Sequence, residues 1–458
     1  MKNAKDLFDV IVPNEKLNET FMRICSSPQS VAARLMLNDI FQDFEDPDGN
    51  FIEQFQTNGF NARFFELYLY AYFTRSGYAV DRSNPNPDFL VTKDGTKVAV
   101  EATTLNPSTS GVLSLNAKKI SDLNETEVRE YLRHELPIRF GSALASKMKK
   151  RYWEKPQCAD LPFIIAIEAF HDAGSLHFSD TSLVEYAYGI RESASWSPDS
   201  ELLITTELID QHTLAEKTIP SGFFAQPEAV NVSAILFTNS GTHAKFSRMG
   251  YQSGFGNEVL KIKRAGRAYD LNPDAMDSVV FSYDLDDPPL TEPWGQGLVV
   301  LHNPNCRSPL PDRFFSDAQE HHLRGDKIAT MSGGWHPFNS TTMLMNVEEL
   351  RKVLDSIVMG HGPRAVASVP REVFWSMTPS FTIEGEEDGW FADEFHGFLG
   401  LVLKNPDVDW TTVVFARNFN FIFVPFLKLG GWKTRVSAVE ALQLKIMELL
   451  NKPQRLFR

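Results

Sequence analysis

From Val31 to Phe44 the segment VAARLMLNDIFQDF repeats its apolar residues at helical spacing, which predicts an amphipathic helix. A DPDGN turn follows, and then a longer helical pattern, ARFFELYLYAYFTRSG, that Gly77 stops. Beyond Gly77 the pattern becomes that of short strands: YAVDR (78–82), DFLVT (88–92) and KVAVEATT (97–104). The last two are joined by KDG, a tight-turn signal for a hairpin. A second helix is expected over roughly 141–153. The continuous apolar run PFIIAIEAF (162–170) then fits a strand covered on both faces. The order is helix, three strands, helix, strand.

Past residue 183 a short helical SLVEYAYG leads into a β-richer region, with strands expected at VSAILFT, EVLKIKR, SVVFSY and GLVVLHN. Pro- and Gly-rich loops such as DLDDPPLTEPWGQ separate them, and a helix, NVEELRKVLDSIV, closes the region. EGEEDGWFADE reads as a linker or exposed loop. GFLGLVLKNP and TTVVFARNFNFIFVPF read as strands, and SAVEALQLKIMELL as a terminal helix. The expected fold class is therefore α/β. It has an αβββαβ core over residues 1–190, a β-rich α+β middle region over 191–360 and a small C-terminal α+β module over 361–458. No internal repeat or low-complexity tract interrupts this order.

With 458 residues and 43% hydrophobic composition the chain can bury a large core and form several domains. Cys25, Cys158 and Cys306 are widely spaced, which supports neither a disulfide framework nor a thiolate zinc site. The N-terminal segment MKNAKDLFDVIVPNEK lacks the apolar run of a signal peptide, and no stretch has the apolar length of a membrane span. A cytoplasmic protein is expected. A net charge of -14 argues against a nucleic-acid partner, but its distribution argues otherwise. Pro137–Lys155 carries Arg139, Lys147, Lys149, Lys150, Arg151 and Lys155 against Glu154 alone, and Phe426–Arg458 carries seven basic residues against Glu440 and Glu448. Each island reads either as a solvated helix face or as a phosphate-binding stripe.

Phosphodiester hydrolysis needs neutralised charge at the phosphate and a hydroxide made near neutral pH, both of which carboxylates achieve by gathering Mg²⁺. Asp88 opens one strand of the expected hairpin and Glu101 lies near the end of the next, so the hairpin can bring them together. Glu101 sits in an apolar strand, where a carboxylate is costly without a cation or hydrogen bonds.

PNPDFLV followed by VAVEATT resembles the PD-(D/E)xK nucleases, the superfamily of many restriction and repair endonucleases, over residues 55–175. The resemblance implies a restriction-endonuclease-like core and a catalytic Mg²⁺ or Mn²⁺ held by Asp88 and Glu101, with Glu66 on the preceding helix completing the set. It further implies nucleic acid, DNA rather than RNA, as partner. Many relatives act as dimers, so a homodimer is an expected assembly, although no helix here compels one. Proteins joining such a core to further modules often serve bacterial defence or mobile-element control. The family's lysine falls at Thr103 here, and a hydroxyl cannot replace an ammonium that orients water and stabilises negative charge. Some branches move that lysine to the second helix. There Leu144, Met148 and Tyr152 form the expected buried stripe, which puts Lys147 first and Lys150 second as replacements.

Two other readings remain: a nuclease scaffold that binds nucleic acid or a regulatory partner without cutting, and an enzyme whose site lies in the middle region. That region holds His302, Asp312, Asp317, Glu320, His321, His322 and His336. If His321 and His322 are helical they point about 100° apart and cannot share a metal, and HExxH spacing is absent. These histidines are therefore expected to be solvated or satisfied. Glu168 and His171, at the end of the apolar strand, fit a cleft or a surface equally well. The glycines of GYQSGFGN are not followed by a helical pattern, which argues against a dinucleotide site.

Overall fold

A computed structural model of the chain describes residues 6–106, 120–196, 202–270, 272, 275, 278–346, 382–384, 390–395, 398–404, 410–417 and 423–450. Two compact units emerge. The first comprises Met1–Met249, Gly266–Phe281 and Glu292–Ser340, and the second Gly250–Ala265, Ser282–Thr291 and Thr341–Arg458.

The first unit opens with helices Glu19–Ser26 (α1), Val31–Gln42 (α2), Phe51–Gln56 (α3) and Phe60–Arg75 (α4). α4 is apolar on nearly every side, the pattern of a helix surrounded by protein, and its residues from Phe64 to Phe73 are all buried. Glu66 is the one acid in that stretch. Three strands follow, Ala79–Asp81 (β1), Phe89–Lys93 (β2) and Thr96–Leu105 (β3), antiparallel to one another. Asp94 and Gly95 both have positive φ (50° and 79°), and the Lys93↔Thr96 pair closes around them. This two-residue turn follows the right-handed twist of the strands, as the KDG signal predicts.

Glu125–Glu130 (α5) runs through a wider π turn, Tyr131–Glu135, into Leu136–Met148 (α6), so the second core helix starts and stops about five residues earlier than expected. Pro137 sits in its first turn, where the missing N–H is harmless. Arg151 adopts a left-handed conformation just past the helix end. Leu144 and Met148 are buried as expected, whereas Tyr152 lies beyond the helix and is half-buried. Phe163–Ala169 (β4) is buried at every position and pairs in parallel with β3, which places Glu101 opposite Ile165. Thr181–Tyr188 (α7) then precedes two small hairpins, Ile190–Trp196 (β5) with Leu202–Leu208 (β6) and Gln211–Leu214 (β7) with Lys217–Pro220 (β8).

Ala234–Thr238 (β9) pairs in parallel with β4. Helix His243–Gln252 (α8) follows. Along Leu260–Ala268 (β10) and Val279–Asp284 (β11) the chain passes between the two units. Leu298–His302 (β12), Gln319–Arg324 (β13) and Lys327–Met331 (β14) complete a mixed eight-stranded sheet of order β1-β2-β3-β4-β9-β12-β13-β14. The division expected at residue 190 therefore differs from the observed one, because strands from the middle region extend the N-terminal sheet. On one face of it Ala99, Ile165, Ile167, Ile235, Phe237 and Leu301 pack against Phe140 and Leu144 of α6 and Leu183 of α7. The other face carries α4, whose Phe73 meets Phe89 of β2 edge-on at 5.5 Å.

Pro337–Asn346 (β15) leads into the second unit. That unit contains an antiparallel sheet of Thr382–Glu384 (β16), Trp390–Phe395 (β17), Phe398–Lys404 (β18), Trp410–Arg417 (β19) and Phe423–Trp432 (β20), followed by helix Arg435–Leu450 (α9). The Thr412 hydroxyl donates to Ala438 O of that helix at 3.2 Å, and Val402 and Leu442 are buried nearby. Trp390–Glu394, expected in a linker, belongs to β17, while the helix expected at NVEELRKVLDSIV falls almost entirely outside the described residues. No helix among the described residues is long and apolar enough to cross a membrane.

Candidate active site

Three core elements each deliver one carboxylate to the same neighbourhood. Asp88 precedes β2, one position beyond the Phe89↔Val100 pair, and so faces Glu101 across the hairpin. Its Oδ2 accepts a 2.8 Å hydrogen bond from the backbone N–H of Ala102. The peptide bond before Pro87 is cis, and Gln157 Nε2 donates to Asn86 O at 2.6 Å. Glu101 is 3% exposed on the face covered by α6. One of its oxygens, Oε1, accepts from Lys147 Nζ at 2.7 Å, and the other, Oε2, is buried without a hydrogen-bond partner.

Glu66 projects from α4 and is 6% exposed. Arg63 Nη1 donates to both of its oxygens at 2.8 and 2.9 Å, and Arg82 Nη2 lies 3.4 Å from Oε2. Arg82 is itself buried, with its guanidinium 3.9 Å from the centre of the Phe44 ring. The three carboxylates sense one another through Asp88. Burial first, and the Asp88 charge second, raise both Glu66 and Glu101 to about 7, against their neighbouring cations. Burial opposes the charge on Lys147, but Glu101 and Asp88 outweigh it and hold the ammonium above its ordinary value. The three acids do not bring three ligand atoms within 4.8 Å of one another.

Lys150, the second lysine expected here, is exposed, with Nζ 5.6 Å from the Tyr152 ring centre. It acts on Glu101 only through its charge. Arg75, a conceivable partner of Glu101, instead pairs with Asp39 at 2.6 Å. Thr103 shares the face of Glu101, two positions on along β3. A cleft of about 470 Å³ beyond α6, lined by Arg151, Trp153, Cys158, Glu228 and Arg307 among others, contains none of the four groups. Glu168 is fully buried in β4, and burial holds its carboxyl well above the ordinary range. His171 bonds the Tyr131 hydroxyl, and burial pushes its imidazole down to about 3.

His302, His321 and His322 lie on strands, so the helical geometry expected for His321 and His322 does not apply. Neighbouring residues of a strand point to opposite faces. His321 is satisfied by Asp180 Oδ2 at 2.6 Å and the Thr330 hydroxyl at 2.9 Å. His336 is buried against Tyr269. His322 instead faces His302, Glu320 and Asp312, four groups whose ligand atoms all lie within 4.8 Å of one another. Their strand register was the signal that spacing along the sequence could not supply. Compared with protein-family models, curated proteins and solved structures, the chain matches none.

Proposed function

We propose that this protein is a Mg²⁺-dependent nuclease that hydrolyses phosphodiester bonds, with DNA as the expected substrate and Asp88, Glu101 and Lys147 as its working residues. The observation that carries the reading is the Glu101 carboxylate, which holds the α6 lysine by one oxygen and leaves the other buried and unsatisfied opposite Asp88. An orphaned buried oxygen beside like charges that repel one another is what a hard divalent cation relieves. Asp88 and Glu101 fit that ion as direct ligands. Glu66, paired with Arg63 and Arg82, fits a supporting place that ties α4 to the end of β1. When bound, the ion would neutralise the phosphate and lower the pKa of a water.

The chain's own groups supply the rest. Lys147 arrives from α6 in place of a lysine at Thr103, and its ammonium is suited to orient the attacking water and to stabilise charge on the phosphoryl oxygens. Lys149 and Lys150, exposed at the end of the same helix, are suited to phosphate contacts flanking the scissile bond. The helix–three-strand–helix–strand order that places these groups also agrees with a PD-(D/E)xK core. A second reading, a protein that binds nucleic acid without cutting it, is favoured by the full satisfaction of Glu66 by arginines. Incubation of the full chain with linear, circular and single-stranded DNA and with RNA, in Mg²⁺, Mn²⁺ or EDTA, separates the two. Metal-dependent cutting that EDTA abolishes supports the nuclease; retention of a substrate on a gel without cutting supports the binder.

A further inference from the structure

We infer that His302, His322, Glu320 and Asp312 form a second metal site, built for a divalent transition metal such as Zn²⁺ and separate from the Asp88–Glu101 pair. β12 and β13 are parallel neighbours, and the Leu301↔His321 pair sets His302 beside His322 one position further on. Their rings stack at 4.1 Å with 14° between planes. Glu320, two positions before His322, shares its face. The backbone N–H of Arg313 donates to Glu320 Oε1 at 2.7 Å and leaves Oε2 turned toward the imidazoles, 3.6 Å from His302 Nε2 and 3.7 Å from His322 Nε2. Asp312, on the exposed loop, places Oδ1 3.9 Å from His322 Nε2. Asn303 anchors the end of β12 by donating to Ala229 O and Val232 O at 2.8 and 2.7 Å.

His302, Glu320 and His322 are 8%, 2% and 8% exposed, and Nε2, Oε2 and Nε2 respectively have no hydrogen-bond partner. Separations of 3.6 and 3.7 Å are too long for hydrogen bonds among the three. Each imidazole can turn the lone pair of its Nε2 inward, and one cation then satisfies all three converging atoms at once. The contrast with the next residue is direct, because His321 closes on Asp180 at 2.6 Å. A tetrahedral shell with bonds of about 2.0–2.1 Å has edges of about 3.3 Å, so closing separations that all lie within 4.8 Å to that spacing takes shifts of at most about 1.5 Å. Two imidazoles with carboxylates suit a borderline metal rather than Mg²⁺ or Ca²⁺, which prefer oxygen alone. Three strand spacings separate β3 from β12, roughly 14 Å, so the two sites hold different ions independently. The site also fastens the loop between β12 and β13, whose Phe314 O and Ser316 N–H bond the Tyr78 hydroxyl at 2.6 and 2.8 Å. Occupancy should therefore raise thermal stability.

The test is titration of EDTA-stripped, dialysed full-length protein with Zn²⁺ against a chromophoric chelator, with Tm read in parallel, and Co²⁺ absorption as a report on nitrogen ligation. One equivalent bound with a rise in Tm is expected. It should be lost in His322→Ala and Glu320→Gln, weakened on the order of tenfold or more in Asp312→Asn, and kept in Asp88→Ala. Because Asp312 is exposed, its variant decides the matter should the buried variants fail to fold. No binding at micromolar Zn²⁺ by folded protein, or an affinity that Asp312→Asn leaves unchanged, overturns the site.

Discussion

At the scale of single residues, Glu66 and Glu101 make the account quantitative. Both have an ordinary pKa of 4.5 that the fold raises to about 7, through burial and then through Asp88. Between those values the folded chain keeps protons that the unfolded chain has lost, so this contribution is full below about 4.5 and declines as pH rises through 7. In metal-free protein the Tm should therefore fall between pH 5 and pH 8. Asp88→Asn should flatten that fall by on the order of 1–2 kcal/mol across the window. Equal slopes for the variant and the wild type would contradict the electrostatic coupling. Glu66→Ala, which strands the buried Arg82, should cost about 3 kcal/mol in denaturant titration. Asp39→Ala, which opens an exposed pair with Arg75, should cost at most about 1 kcal/mol. Equal losses would show that burial is not what makes the Glu66 network matter. Lys147 was legible in the sequence because Leu144 and Met148 fix the buried stripe of its helix. The Arg82–Glu66 contact was not, since it depends on where β1 delivers a residue sixteen positions away. His322 was hidden for a similar reason: its partner lies on another strand.

At the scale of elements, the hairpin is the best-read feature, because a two-residue turn and alternating apolar residues leave one register that buries the right face. The second helix was read less well. The π turn before it carries no periodic signature of its own, and Gly141, expected near the helix start, lies in its middle against Tyr186 and Ile219. A Cβ there would fall 2.6 Å from Ile219 Cδ1 and 2.7 Å from the Tyr186 hydroxyl oxygen. Gly141→Ala should therefore push α6 outward at a cost of about 1–3 kcal/mol and draw Lys147 away from Glu101. Cleavage should fall in protein whose circular dichroism stays native. Unchanged stability and cleavage would mean that the helix seat tolerates a side chain. The end of the first unit was misplaced for a different reason, since periodicity identifies a strand but not the sheet it joins. β9 and β12 read correctly as strands and β13 and β14 were not read at all, yet all four extend the N-terminal sheet.

At the scale of the whole molecule, a net charge of -14 coexists with a lysine-rich helix end beside the candidate site. Substrate attraction should therefore come from a local stripe and fade with added salt. Lys149→Ala with Lys150→Ala should weaken DNA retention at low salt and reduce its salt dependence, while cleavage at saturating DNA changes little. A salt slope identical to the wild type would remove this stripe from the binding surface. The nuclease reading is tested most directly by relaxation of supercoiled circular DNA in Mg²⁺ by wild type, Asp88→Ala, Glu101→Ala and Lys147→Ala, each first shown to be folded. The expected result is EDTA-sensitive cutting by wild type and a loss of at least about 10²-fold in each variant. Cutting that persists at the wild-type rate in the variants, or folded wild type that binds Mg²⁺ yet cuts neither DNA nor RNA, would contradict it.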